Sequence, residues 1–301
     1  VRILFFGLPL AAVLLRADGH RIVHAFLARP GYPGERRLRR ALGAAVEGRV
    51  NLDDPPVLER VLTLDADALV SWYWTTRFPP SLVQRFAGRS VGIHPSLLPR
   101  HRGPDPFFWT IAEGDAVTGV TAHALAEDYD TGAIYGQRTL HVQPTWNAWA
   151  LAKALDRPSL QLLREVVRQM AAGAMPPERA QNDDDATQAP PPTDDDVEID
   201  WTKSADRIEQ LVRAASPYPG AFAALGDRTV VVTHVRVDAH APRALEPGEA
   251  WIVSRDGGGA PTAAAVKAGS GSIHLLGGVL EDESPPRVLD SAAIARLVEG
   301  S

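Results

Sequence analysis

The first half of the chain alternates short, strongly apolar runs with amphipathic helical runs, and this alternation constrains the fold more than any other feature. Residues 2–7, 21–28, 67–73 and 89–94 read as strands, with helical patterns over 10–17, 35–46, 57–64 and 79–86 between them. Strand–helix alternation with short Gly and Pro punctuation predicts a parallel sheet covered by helices on both faces. Ligands of such sheets bind outside the C-terminal strand ends, so the informative residues should follow Gly7, Trp72 and Val91. The apolar stretch 3–15 faintly imitates a secretion signal. Gly7 and Pro9 interrupt it and no small-residue cleavage pattern follows, so a first strand, loop and helix explain it.

Beyond residue 100 a helix is expected over 106–113, an antiparallel strand pair over 118–126 and 133–142, and a long helix over 147–170. Then the composition changes. Asn182-Asp183-Asp184-Asp185, Pro190-Pro191-Pro192 and Asp194-Asp195-Asp196 make an acidic, Pro-rich run with too little apolar surface to bury, which reads as a linker. After it come a helix over 204–215 and strands over 221–225, 229–237, 250–254, 263–267 and 272–276, with Gly-rich turns between them. Such spacing predicts a small, OB-like β-barrel. The expected organisation of the 301 residues is therefore an α/β, Rossmann-like domain over 1–181, a linker over 182–198 and a β domain over 199–301.

Composition excludes several chemistries. The chain has no cysteine, which removes disulfides, thiolate nucleophiles and Cys-based zinc sites and fits a reducing, cytoplasmic setting. His234, His240 and His274 lack ligand spacing, so no metal is expected. No apolar run reaches the ~18 residues of a membrane span. The formal charge is −6, and residues 199–301 carry ten basic against thirteen acidic residues, which argues against a tRNA partner. The one basic cluster, Arg29 with Arg36, Arg37, Arg39 and Arg40, reads either as a phosphate clamp or as a solvated helix face. Monomer and homodimer both remain open.

The densest window is 90–132. It holds Gly92-Ile93-His94-Pro95-Ser96-Leu97-Leu98-Pro99, Arg102-Gly103-Pro104, Thr118-Gly119-Val120-Thr121-Ala122-His123 and Asp128-Tyr129-Asp130-Thr131-Gly132. His94 falls at a strand end where the sheet opens to ligand, and Pro95 stops further ladder pairing. A His–carboxylate pair suits proton transfer near neutral pH. On spacing alone a second reading stands beside it, in which His94 is a satisfied core histidine and the Asp130 segment is only a turn.

Those motifs resemble the formyltetrahydrofolate-dependent formyltransferase family, which includes methionyl-tRNA and nucleotide-sugar N-formyltransferases. The His-Pro-Ser-Leu-Leu-Pro run, the Arg-Gly, the Thr-Gly-Val-Thr strand and the Asp-Thr-Gly turn occur in the family's order, with His94 and Asp130 36 residues apart. Ile199-Asp200-Trp201, Arg213-Ala214 and Pro217-Tyr218-Pro219-Gly220-Ala221 resemble the start of the C-terminal domain of its tRNA- and sugar-formylating members.

The resemblance implies transfer of a formyl group from 10-formyltetrahydrofolate to an amine, without a metal. It implies a folate lying by Ser96, Leu97, Leu98 and Pro99 and along Leu125, Asp128 and Tyr129, with Trp72, Tyr73 and Trp74 nearby. The catalytic candidates are His94, Asp130, Thr121 and His123, with Gly92 where the family has an Asn. In the family the Asn and the His donate to the oxyanion while the Asp holds the His and helps remove the amine proton. Loss of one oxyanion donor costs about 10²–10³ in rate. Gly92 leaves four readings open: a substitute donor from a backbone N–H or His123, a formimino or other one-carbon donor, hydrolysis of the folate, or binding without turnover. Restoring the residue with Gly92→Asn is expected to raise activity. With the acidic second domain, the resemblance favours a small amine or hydroxylamine acceptor: an amino sugar, an amino acid or a natural-product intermediate.

Overall fold

The computed structural model describes residues 1–300, which divide into two compact units. The first comprises Val1–Pro106, Ala116–Val142 and Ala152–Pro190. Its sheet contains β1 (Arg2–Gly7), β2 (Arg21–Leu27), β3 (Val46–Glu47), β4 (Ala68–Trp72), β5 (Ser90–His94), β6 (Val117–His123) and β7 (Ile134–His141) in the order β3-β2-β1-β4-β5-β6-β7. Strands β1 to β5 pair in parallel, while β6 and β7 continue the sheet antiparallel. The chain runs outward from β1 on one side and resumes at β4 on the other, so the sheet has a switch point beside β1.

Strand β1 reads as a continuous apolar run because both its faces are covered, and Ile3 to Phe6 are fully buried. Phe6 stacks on Phe26 with ring centroids 4.8 Å apart and meets Phe78 and Trp74 edge-on. Helix α1 (Pro9–Ala17) starts on a proline, where a missing N–H costs no hydrogen bond. Gly7, at φ +138°, lies so close to β4 that a Cβ would fall 1.9 Å from the carbonyl oxygen of Trp72. Only glycine lets the two strand ends meet there. Helices α2 (Glu35–Leu42), α3 (Pro55–Thr63) and α4 (Pro80–Arg85) complete the strand–helix alternation, followed by α5 (Pro106–Ala112) and α6 (Ala148–Ala171). The helix expected over 35–46 ends early, at Leu42, where Gly43 takes a positive φ.

The acidic run differs from its expectation. Residues up to Pro190 belong to the first unit, and Ala189 is fully buried. Thr187 and Ala189 exchange backbone hydrogen bonds with Pro99, Arg102 and Asp105. Polar pairing, which composition does not reveal, holds this segment in place of apolar burial. From Pro191 onward the run belongs to the second unit, where helix α7 (Asp194–Val197) is capped by reciprocal Thr193 and Asp196 contacts.

The second unit also takes in Phe107–Asp115 and Gln143–Leu151. Side chains of α8 (Ala205–Ala214) explain why: Gln210 donates to the Ile111 carbonyl, Arg207 to Ala112 and Arg213 to Trp146. Its sheet contains β8 (Ala221–Leu225), β9 (Arg228–Asp238), β10 (Ala250–Arg255), β11 (Pro261–Lys267), β12 (Ser272–Leu280) and β13 (Arg287–Asp290), all pairing antiparallel. The first half of β12 pairs with β11 and its second half with β13, with a register shift at Gly277-Gly278 that bends the strand. Helix α9 (Ser291–Glu299), which had no counterpart in the sequence reading, is capped by the Asp290 side chain.

Candidate active site

Parallel strand β5 delivers His94 at its C-terminal end, and antiparallel β6 runs back alongside it with Gly92 opposite His123. After β6 the chain turns and presents Asp130 in a left-handed conformation, φ +57°, that Asp tolerates better than most residues. The two histidines flank this carboxylate. His94 Nδ1 lies 3.3 Å from Oδ2 of Asp130, and His123 Nε2 lies 3.4 Å from Oδ1. Each ring is fixed from behind by a backbone carbonyl: His94 Nε2 lies 2.7 Å from the His101 oxygen and His123 Nδ1 2.8 Å from the Ala124 oxygen. The Gly103 N–H donates to Oδ2 of Asp130 at 2.9 Å. Both rings are buried, and burial away from water holds the His123 pKa below the ordinary histidine value.

The space above Gly92 is filled. A Cβ there would stand 2.8 Å from Leu125 Cδ2 and 3.0 Å from His123 Nε2. A side chain at 92 therefore requires the tip of Leu125 to move and the His123 ring to give by a few tenths of an ångström.

Thr121 sits behind the site. Its hydroxyl donates to the Ser96 carbonyl at 2.7 Å and accepts from the Leu98 N–H and from Gln137. It rivets the loop 96–99 to β6. Ser96 Oγ donates to the Arg100 carbonyl, and the Leu97 side chain lies over Gly119. Pro99 accepts a hydrogen bond from Thr187. Tyr129 donates to the Thr75 carbonyl under the Arg77 guanidinium, and Arg77 also faces Asp128 at 3.6 Å.

Of the aromatic triplet, Trp72 is placed differently from its expectation, while Tyr73 and Trp74 are half-buried. Trp72 is 2% exposed, donates its indole N–H to Ser159 and stacks on Tyr73, so it is a core residue and not a wall of the site. Trp74 packs against Phe6 and Phe78. Both faces of β4 are covered, so strand alternation does not separate core from cleft here.

Sequence reasoning missed one supporting residue altogether. Gln181 donates to the carbonyls of Asp130 and Gly132 and accepts from the guanidinium of Arg102, which is 5% exposed and also reaches Asp183. This side chain ties the Arg102 loop to the Asp130 turn. No motif marks it.

Two buried imidazoles converging on one carboxylate at the C-terminal end of a parallel strand can take up and pass on protons. Comparison with known proteins makes the class specific. Residues 13–167 match the formyl transferase family and residues 192–278 match the formyl transferase C-terminal domain. The chain is 35% identical to a methionyl-tRNA formyltransferase of Anaeromyxobacter sp. (strain K), over 97% of this chain and 96% of that protein. It is 36% identical to one from Acidothermus cellulolyticus, over 82% and 81% of the respective chains. Among solved structures, HypX of Aquifex aeolicus in complex with tetrahydrofolic acid superposes with a TM-score of 0.69 at 18% identity. The match covers 99% of this chain, which spans about half of HypX, 48% of its length. An N-formyltransferase of Helicobacter canadensis, solved with folinic acid and dTDP-3-aminofucose, gives 0.65 at 13% identity over 91% of this chain and 98% of that one. The chain belongs to the formyltransferase family, as a transferase of a one-carbon formyl group.

Proposed function

We propose that this protein moves the formyl group of 10-formyltetrahydrofolate to the primary amine or hydroxylamine of a small molecule, such as an amino sugar, an amino acid or a natural-product intermediate. The acceptor nitrogen attacks the formyl carbon, a C–N bond forms, and the bond from that carbon to N10 of the folate breaks. The acceptor loses one proton and N10 gains one. Asp130, oriented by His94 and the Gly103 N–H, is the group that faces this exchange. The tetrahydrofolic acid and folinic acid of the two solved structures support a folate donor, and we place it by Ser96 to Pro99, Leu125, Asp128 and Tyr129. A reduced-folate donor and a cysteine-free chain support a cytoplasmic setting. Among the described residues no helix is long and apolar enough to cross a membrane.

The observation that carries the choice of acceptor is electrostatic. Residues 199–301 hold ten basic and thirteen acidic residues, and many of the cations are already engaged by carboxylates of the same unit. Arg228 pairs with Asp282 and Glu283, Arg213 with Glu209, Arg255 with Glu299, Arg287 with Glu283 and Lys203 with Asp200. Phosphate neutralisation dominates RNA binding, and the net charge of residues 199–301 has the wrong sign for it. In the first unit, Arg36 and Arg37 border a cavity of about 790 Å³ with Tyr32, where Glu35 holds Arg39; the two remaining cations support an acceptor with an anionic part.

A second reading rests on the methionyl-tRNA formyltransferases among the relatives, and has the acceptor amine on a charged tRNA. One experiment separates the two. The full chain is incubated with 10-formyltetrahydrofolate and either a panel of small amines or methionyl-tRNA, and mass spectrometry reads the gain of a formyl group. Formylation of a small amine with methionyl-tRNA untouched is expected. Formylation of methionyl-tRNA alone overturns the proposal.

A further inference from the structure

A carbonyl oxygen only accepts hydrogen bonds, so the rings of His94 and His123 each carry their hydrogen on the nitrogen facing the His101 or Ala124 carbonyl. Burial disfavours a charge on the His123 ring, so its Nε2 turns a lone pair toward Oδ1 of Asp130 and the two meet as acceptors 3.4 Å apart. The Gly103 N–H serves Oδ2, beside His94 Nδ1. The His123–Asp130 contact is one proton short of a hydrogen bond.

The two ends of the carboxylate are unequal. Oδ2 faces His94 and takes the Gly103 N–H, whereas Oδ1 faces His123. His123 owes its position to Gly92, its register partner across β5 and β6, because any Cβ at 92 would crowd Nε2. We propose that Gly92 and His123 form one device: the empty position at 92 seats the His123 ring against Asp130, and Nε2 of His123 receives, through Oδ1, the proton shed by the attacking amine.

This inference rests on the amide-forming reaction above. As the C–N bond forms, the acceptor nitrogen passes a proton to Oδ1 of Asp130, and Oδ1 passes one to Nε2. The resulting imidazolium has both hydrogens matched, Nδ1–H on the Ala124 carbonyl and Nε2–H on Oδ1. When the carbon–N10 bond breaks, the proton returns to N10 and the centre is reset with no net gain or loss. Burial keeps the ring neutral at rest, ready to accept. The titratable groups facing it are Asp130, whose charge favours the imidazolium, and His94, which opposes it when charged. Gly92, Leu125 and the Ala124 carbonyl, its other neighbours, carry no charge. His123 thus acts through Asp130, as a positioning and proton-holding residue.

The test has two arms. In the first, ¹⁵N-histidine NMR of the substrate-free full chain follows the His123 ring with pH. The expected result is a neutral ring protonated at Nδ1, whose titration moves to lower pH in Asp130→Asn, and whose signals shift in Gly92→Ala. A ring protonated at Nε2 at neutral pH, or a titration unmoved by Asp130→Asn, overturns the proposal. In the second arm, His123→Asn keeps a donor for the Ala124 carbonyl but lacks the distant base. It should lower kcat about 10²-fold, in the range for a lost proton acceptor, and remove the acid limb of the kcat pH profile while leaving KM for the folate unchanged. An unaltered profile overturns the proposal. If no amine is formylated at all, the choice of acceptor fails, and the NMR arm still decides the proton-holding role.

Discussion

The two units use the same charged residue types in opposite ways. Around Asp130 the ionisable groups are few, buried and shared, with one carboxylate serving two imidazoles and a backbone N–H. In the second unit they are numerous and largely exposed, and five of the ten cations of residues 199–301 are matched locally, as Arg255 is with Glu299. An exposed pair is worth about 0–1 kcal/mol because water and salt screen it. A carboxylate shared between two buried imidazoles and itself only 16% exposed is screened far less by solvent, so each partner alters what the others hold. The first arrangement directs protons, whereas the second sets the sign of a surface and hence the partners it attracts.

The sharpest way to break this contrast is to remove the shared carboxylate. Asp130→Ala leaves both rings facing an apolar gap and takes away the acceptor of the Gly103 N–H. Formyl transfer should fall about 10³-fold, the midrange for loss of a positioned acid–base group. A loss under tenfold in a steady-state assay would mean that Asp130 is only a turn residue.

A smaller effect is expected from filling the site from the other side. Gly92→Asn must displace either Leu125 or the His123 ring, and overpacking of a closed site costs about 1–3 kcal/mol. Stability measured by urea unfolding should drop by that amount, and activity should fall instead of rising. A rise in activity would show that an amide at 92 and the imidazole of His123 can work together.

Which features were legible in the sequence follows from how each part is stabilised. Strands β1, β4 and β5 are buried on both faces and read directly as apolar runs. The two-residue β3 has no periodicity to read, and β13 hides behind Pro285-Pro286 with Val288 largely exposed. The order of His94, Thr121, His123 and Asp130 was legible through family motifs. Their fixing partners were not, because the carbonyls of His101 and Ala124 are backbone atoms and Gln181 is a lone polar residue at the domain's expected edge that no motif marks. Polar pinning leaves no apolar signature, so the segment 182–190 was misread for the same reason.

The contrast also has a pH dependence. Burial holds the His123 pKa below 6.5, the value its ring takes once unfolded. Between those two values the unfolded chain binds a proton that the folded chain refuses. Stability is therefore complete above the unfolded value and declines as pH falls through it. His24 and His274, also shifted down by burial, add slopes of the same sign. Urea midpoints should drop between pH 8 and pH 5.5, and His123→Asn should flatten part of that drop. A slope identical in the variant would mean that the ring takes up its proton in the folded state as readily as in the unfolded one.

The smallest effect belongs to the second unit. Arg255→Ala breaks an exposed pair with Glu299 and a hydrogen bond to the Gly259 carbonyl, near the end of β10. Both partners return to water, so the expected loss is about 0–1 kcal/mol and should shrink further in high salt. Formyl transfer to a small amine should be unchanged, because nothing in the Asp130 centre draws on this pair. The informative quantity is the sign of charge left behind. Removing a cation makes an already acidic unit more so, which would weaken a phosphate-bearing acceptor bound there and leave a small one untouched. If Arg255→Ala selectively raised KM for methionyl-tRNA in a salt-dependent way, the paired cations of the second unit would be working surface for RNA, and the division of labour between the two units would have to be redrawn.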